Sequence, residues 1–159
     1  MKSKNKKLLC ASLLIGCTLL GYLLWLSLRP VEIIAIHQRH NYSDILVKNF
    51  PLTERGKINY WLTNKKKIKD IYNTPKPAED GFFTIIFWDF GDGYKETDGY
   101  DRLCFDDMKA VKNCIDKNWV MTIEQSLSSK RIIYSIDSDT FETLPNGNIV
   151  KQHFTYSVR

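Results

Sequence analysis

The feature that most constrains this chain is an uncharged run near its amino-terminal end. Positions 8 to 28, LLCASLLIGCTLLGYLLWLSL, hold no charged residue. At about 1.5 Å per residue the run is roughly 31 Å long as a helix, which matches the hydrocarbon thickness of a bilayer. Lys2, Lys4, Lys6 and Lys7 precede it, and Arg29 with Pro30 closes it. Proline cannot continue a helix, and an arginine at a helix end reaches up to the headgroups. Tyr22 and Trp25 lie near that end, where interfacial aromatics belong. The run therefore predicts a transmembrane helix over 8–28. Four lysines against one arginine keep 1–7 in the cytoplasm as a basic tail. Residues 31–159 then form one extracytoplasmic domain, periplasmic in a Gram-negative cell, and the lipid bilayer is the first expected partner.

Two other uses of the run compete with this one. A cleaved secretory signal has a shorter apolar region and a small-residue cleavage site, neither of which fits LSLRP. Leu14-Ile15-Gly16-Cys17 has the shape of a lipobox, which would place a lipid on Cys17. The apolar TLLGYLLWLSL that follows has no use in a lipoprotein and is required by an uncleaved span, so the span is preferred. Ser12 with Gly16, and Cys17 with Gly21, place small residues four apart and would admit a close helix pair. Nothing else in the sequence speaks for a homo-oligomer.

Charge has to be divided at the same point. The whole chain carries a formal +5, but residues 1–30 hold five Lys/Arg and no Asp/Glu, which leaves 18 of each sign in the remainder. A neutral outer domain with no recognisable nucleic-acid module excludes nucleic-acid binding. Its charges are nonetheless segregated. Residues 48–76 hold eight basic and two acidic groups, and 79–107 hold nine acidic and two basic. Such a domain either pairs its halves internally or offers faces of opposite sign to a partner.

The cysteines divide in the same way. Cys10 and Cys17 lie in the apolar run, where a thiol behaves as a small hydrophobe, whereas Cys104 and Cys114 lie in LCFDDMKAVKNCI. In an oxidising compartment the second pair is expected to form a disulfide. Its spacing is not C-x-x-C and no histidine is near, which argues against a redox or zinc pair.

Periodicity predicts the outer domain's elements. VEIIAIH at 31–37 and DILVKNF at 44–50 read as strands around an HNYS turn. Thr53 is the expected N-cap of a helix running to about Tyr72, with Ile58, Trp61, Leu62, Ile68, Ile71 and Tyr72 on one face and most of the lysines elsewhere. NTPKPAEDG reads as a loop, and FFTIIFWDF as a central strand covered on both faces. WVMTIEQSL and RIIYSIDSDTF predict two further strands, and NIVKQHFTYSV a last one entered through Pro145-Asn146-Gly147. The expected fold class is α+β: one amino-terminal transmembrane helix, then a mostly antiparallel sheet with one principal packed helix.

Three stretches together carry a resemblance. LWLSLRPVEIIAIH after a lysine-rich start, NYSDILVKNFPLTERGKINYWL, and FFTIIFWDFGDGYKETDGYDRLCFDDM with KNCIDKNW resemble the bacterial family known as domain of unknown function 943, over about positions 2 to 121. The resemblance implies a small inner-membrane protein of Gram-negative bacteria without an established enzymatic activity. It brings no catalytic residues with it.

The acidic stretch WDFGDGYKETDGYD at 88–101 is the one place that invites a chemical reading. Asp89-Phe90-Gly91 spells a kinase metal-binding triplet, but the glycine-rich loop, strand lysine and HRD segment of a kinase are absent. An EF-hand needs oxygen ligands at loop positions 1, 3 and 5 and glycine at 6, and neither register starting at Asp89 or Asp92 supplies them. A looser Ca²⁺ cage of Asp89, Asp92, Asp98 and Asp101 is one alternative, and a tethered hydrolase using a carboxylate pair from 89–101 is another. The simpler reading is that Gly91, Gly93 and Gly99 supply the φ > 0 positions of a turn that the aspartates cap. His37 and His40 form an H-x-x-H, but residues three apart on a strand point to opposite faces. Asn41-Tyr42-Ser43 is a glycosylation sequon that means little in a bacterium.

The expectation drawn from all this is a non-enzymatic protein-binding module with no cofactor and no catalytic residue. Its partner would be a periplasmic or membrane protein, such as an envelope component or a toxin. The candidate partner surface is Asp89, Asp92, Glu96, Asp98 and Asp101 in the acidic loop, with Lys65, Lys66 and Lys69 on the helix.

Overall fold

The computed structural model describes residues 2–27 and 29–152, with side chains described from 11 to 25 and from 29 to 152. It divides into two units, Met1–Val31 and Glu32–Arg159.

The first unit is helix α1, Lys2–Ser27. Leu13, Leu14, Ile15, Leu19, Leu20 and Leu23 are all more than half exposed. At 100° per residue these positions fall all round the helix and form no single stripe. Thr18 Oγ1 donates back to Leu14 O at 3.0 Å and to Ile15 O at 2.9 Å, so even the hydroxyl is satisfied by the helix itself. The Arg29 guanidinium lies 3.6 Å from the centre of the Trp25 ring, and Cys17 is a free, exposed thiol. The fifteen residues from 11 to 25 span about 22 Å, short of a bilayer's roughly 30 Å. Among the described residues no helix is long and apolar enough to cross a membrane. Leu28 of the predicted span, and the side chains of Leu8, Leu9, Cys10, Leu26 and Ser27, lie outside the described residues.

The second unit is α+β, as predicted. Its strands are β1 (Glu32–Arg39), β2 (Tyr42–Lys48), β3 (Thr84–Asp89), β4 (Leu103–Cys104), β5 (Cys114–Ile115), β6 (Trp119–Gln125), β7 (Ile132–Ile136), β8 (Asp139–Thr143) and β9 (Ile149–Lys151). Seven of them form one sheet in the order β1-β2-β3-β6-β7-β8-β9, and β4 pairs with β5 as a separate ribbon. Every pairing is antiparallel except β2 with β3. A parallel pair needs a crossover, and helix α2 (Glu54–Tyr72) provides it. Thr53 caps α2 as expected, its side chain accepting from the Gly56 N–H, and Asn73 ends it in the left-handed region.

Strand alternation gives the sheet two different faces. Ile45, Val47, Ile85, Phe87, Met121, Ile123, Tyr134 and Ile136 point to the α2 side and are buried there, Phe87 meeting Trp61 of the helix edge-on at 6.4 Å. On the opposite side, Leu46 packs with Phe105 and Ile115 of the ribbon, and Trp88 joins them. The expectation that β3 is covered on both faces is met by Phe87 on one and Trp88 on the other.

Three expectations need correction. RIIYSIDSDTF is a hairpin rather than one strand: Ile136 pairs with Asp139, and Asp137 turns the chain with φ 52°. Short aspartate side chains tolerate that region, so the break is local chemistry that an apolar pattern cannot show. The strand expected over 44–50 begins at Tyr42 and stops at Lys48, because Asn49 has φ 56°. Of the last expected strand, Ile149–Lys151 pairs with β8 and 153–158 lie outside the described residues.

Candidate functional site

The acidic loop leaves β3 and returns through β4 and β5. Gly91, Gly93 and Gly99 have φ of 47°, 94° and 78°, which is the turn role their spacing predicts. Asp98 Oδ1 accepts from the backbone N–H groups of Tyr100, Asp101 and Arg102 at 3.1, 3.2 and 3.3 Å. These donors, first that of Tyr100, hold its carboxyl below the usual range. The loop is also fastened to the ribbon. Lys95 and Cys114 exchange both backbone hydrogen bonds, at 2.7 and 3.0 Å. Lys95 Nζ and Arg102 Nε converge on Asp116, at 2.5 and 3.2 Å, lowering the Asp116 carboxyl mainly through the lysine. Asp92 pairs with Lys95 at 3.5 Å and Asp101 with Lys117 at 3.3 Å.

The predicted residues are thus not all brought together. Asp92, Glu96, Asp98 and Asp101 share the loop, where Lys95, Arg102 and Lys117 are paired with Asp92, Asp98 and Asp101, and Arg102 also donates to the Glu96 backbone carbonyl. Asp89 has the strand parity of Phe87 and lines a cleft on the α2 side with Lys57, Pro51 and Trp119. Lys65, Lys66 and Lys69 stand on α2, across the sheet from the ribbon. The loop carboxylates beside the ribbon and Lys65, Lys66 and Lys69 on α2 therefore lie on opposite sides of the sheet, while Asp89 shares the α2 side with Lys57. Among the described residues no group of three or more His, Cys, Asp or Glu side chains is placed to hold a metal ion.

Sequence reasoning did not find the polar array beneath the loop. His37 of β1 is 5 % exposed. Its Nδ1 meets Asp107 Oδ1 at 2.8 Å, its Nε2 meets the Tyr94 hydroxyl at 2.9 Å, and its ring stacks on Phe105 at 3.7 Å. Burial, and next the Asp107 charge, raise the Tyr94 phenol above its ordinary value. Beside the array, buried Asp44 accepts from Trp88 Nε1 at 2.8 Å. An Asp-His-Tyr chain suits proton transfer in the abstract. Here the imidazole is capped by Phe105 and both ring nitrogens are engaged inside the protein, so the array ties β1 to residues 94–107. His40 sits in the β1-β2 turn with φ 54°, away from any shared role with His37. The one available signal was a histidine in a strand, and its partners lie 57 and 70 positions further on.

Cys104 and Cys114 form the expected disulfide, with an S–S distance of 2.06 Å. It joins the two strands of the ribbon directly opposite one another.

The described structure defines a class: a disulfide-linked α+β domain in a chain that also carries an apolar amino-terminal helix. The chain belongs to the family described as "Enterobacterial putative membrane protein (DUF943)", whose model matches residues 2–153. No curated protein matches the chain, and neither does any solved structure.

Proposed function

We propose that the protein is a single-pass inner-membrane protein whose domain 31–159 works in the periplasm as a non-enzymatic recognition module for another protein. The observation that carries the anchoring is α1, whose large apolar side chains are exposed on every side. A helix apolar all round has no wet face, and the uncharged sequence run extends it beyond 11–25 to a bilayer's thickness. The four lysines before the run favour a cytoplasmic amino terminus. The disulfide suits an oxidising compartment.

Recognition is favoured over hydrolysis by the state of the loop carboxylates. A general acid needs a raised pKa, whereas Asp98 is lowered by backbone donors and the neighbouring Asp116 by Lys95. The exposed charges of Asp92, Glu96 and Asp101 on one side, and of Lys65 and Lys66 on the other, remain as the candidate partner surface. The test is photo-crosslinking in intact cells from position 100 and from position 66, paired with a carboxyl-terminal alkaline phosphatase fusion. An active fusion and a discrete crosslinked protein, lost when Asp92, Glu96 and Asp101 or Lys65 and Lys66 are neutralised, are expected. An inactive fusion overturns the topology, and crosslinks indifferent to both sets of charges overturn recognition.

A further inference from the structure

We propose that the groove between the carboxyl-terminal half of α2 and the sheet is a binding site for an amphiphilic anion: an apolar chain or ring carrying one carboxylate, phosphate or sulfate. This inference draws on the same Lys65 and Lys66 as the protein-recognition reading but does not depend on it, since it is read with a small anion and no protein partner. The groove has a volume of about 410 Å³, within the range of small-ligand sites. Its floor is Trp61, Phe83, Ile132 and Tyr134, and its rim is lysine. Trp61 is 5 % and Tyr134 2 % exposed, so the floor belongs to the packed core and is preformed.

The polar groups point to one ligand charge. Lys69 Nζ is already used, donating to Asn73 Oδ1 at 2.9 Å and Pro75 O at 2.7 Å, which fixes the proline wall of the groove. Lys65 and Lys66 are exposed, and among the described residues no carboxylate pairs with either. The Trp61 indole N–H likewise has no acceptor among the described residues, although no fully buried side-chain nitrogen there lacks one. A preformed apolar floor with two unpaired cations and an unused donor is complementary to a negative head on an apolar body. Two other clefts on this side differ: one mixes Glu54 with Arg55, and the other Lys57 with Asp89, so neither of them offers a field of one sign.

The experiment uses the full chain in phosphatidylcholine nanodiscs and the soluble anion ω-bromooctanoate, whose tail bromine quenches tryptophan on contact. Saturable quenching is expected, with most of it lost in Trp61→Phe. Lys65→Glu with Lys66→Glu should weaken binding at least about tenfold, as should replacing the probe by neutral ω-bromooctanol. Quenching that never saturates, that is unchanged by the lysine reversal, or that is equal for the alcohol overturns the proposal. Because the lysine pair is exposed, its variant keeps the fold and the test stands even if Trp61→Phe does not. The source of the head is read by competition. Displacement by phosphatidylglycerol in the disc assigns a lipid headgroup, and displacement only by added octyl phosphate assigns a soluble anion.

Discussion

Removing the Cys104 to Cys114 bridge should reduce stability by an amount the topology allows one to work out. The bond closes a loop of about eleven residues, for which the chain-entropy relation gives about 2.8 kcal/mol. The loss is not confined to the ribbon. Phe105 and Ile115, each one residue beyond a cysteine, are the ribbon's contribution to the cluster around Leu46, and Cys114 holds the acidic loop through Lys95. The ribbon has two residues per strand and no pairing with the main sheet, so apart from the bond it is held by the His37 stack on Phe105, the Asp116 ion pairs and packing on Leu46. Urea unfolding of the full chain in a nonionic detergent, followed by tryptophan fluorescence, measures the effect. With a slope of about 1.5 kcal/mol per molar, the reduced protein should unfold about 1.9 M earlier than the oxidised one. Cys104→Ser with Cys114→Ser should fall slightly below the reduced wild type, since it puts a hydroxyl at the buried 114 position. Coincident midpoints for oxidised and reduced protein would refute the reasoning, because the ribbon would then be held by packing alone.

Other perturbations separate the remaining elements. Phe105→Ala empties a fully buried site and removes the ring stacked on His37, so a loss of about 3 to 5 kcal/mol in the same urea assay is expected. His37→Leu removes the imidazole partner of the Tyr94 hydroxyl and of the half-exposed Asp107 carboxylate and should cost about 1 to 3 kcal/mol; combining it with Tyr94→Phe should cost less than the two single changes added together. Asp98 and Asp116 have folded-state pKa values below their usual 3.8, so near that pH the unfolded chain binds more protons. Their contribution is present above about pH 4 and disappears as pH falls through the folded values. Pepsin at decreasing pH should therefore begin to cut within 95–102 before it attacks the sheet, and simultaneous cleavage of both would contradict this. Thr53→Ala should destabilise α2 by about 1 kcal/mol, read as a lower thermal midpoint.

The parts of this fold that were legible in the sequence are those set by short-range pattern. The α2 boundaries followed from Thr53, from apolar residues recurring at helical spacing, and from the Asn-Thr-Pro stop. The central strand followed from FFTIIF, and the loop glycines from their places among carboxylates. The parts that were missed depend on pairing across the chain. Asp137 reverses the strand expected over 131–141 through one backbone angle. The β4-β5 ribbon is too short to show any periodicity, and the His37 array assembles from three segments whose separation no local rule encodes. Charge counting found the two oppositely charged stretches, but could not tell that Lys95, Arg102 and Lys117 would be set against the acidic side chains.

The single parallel pairing in the sheet has a consequence for the order in which the chain can assemble. β1 with β2, and β6 through β9, are successive antiparallel neighbours that zip through short turns. Joining β2 to β3 instead means closing 35 intervening residues, an entropic penalty of order 3 kcal/mol by the loop-closure relation. Folding of α2 against Phe87, which Trp61 meets, shortens that path and favours closing the seam after the helix has formed. A polypeptide emerging amino end first would thus hold its leading hairpin apart from the rest until the helix is complete. The apolar residues that α2 itself buries, Trp61 and Ile68 above all, are then the ones whose replacement should slow folding rather than hasten unfolding.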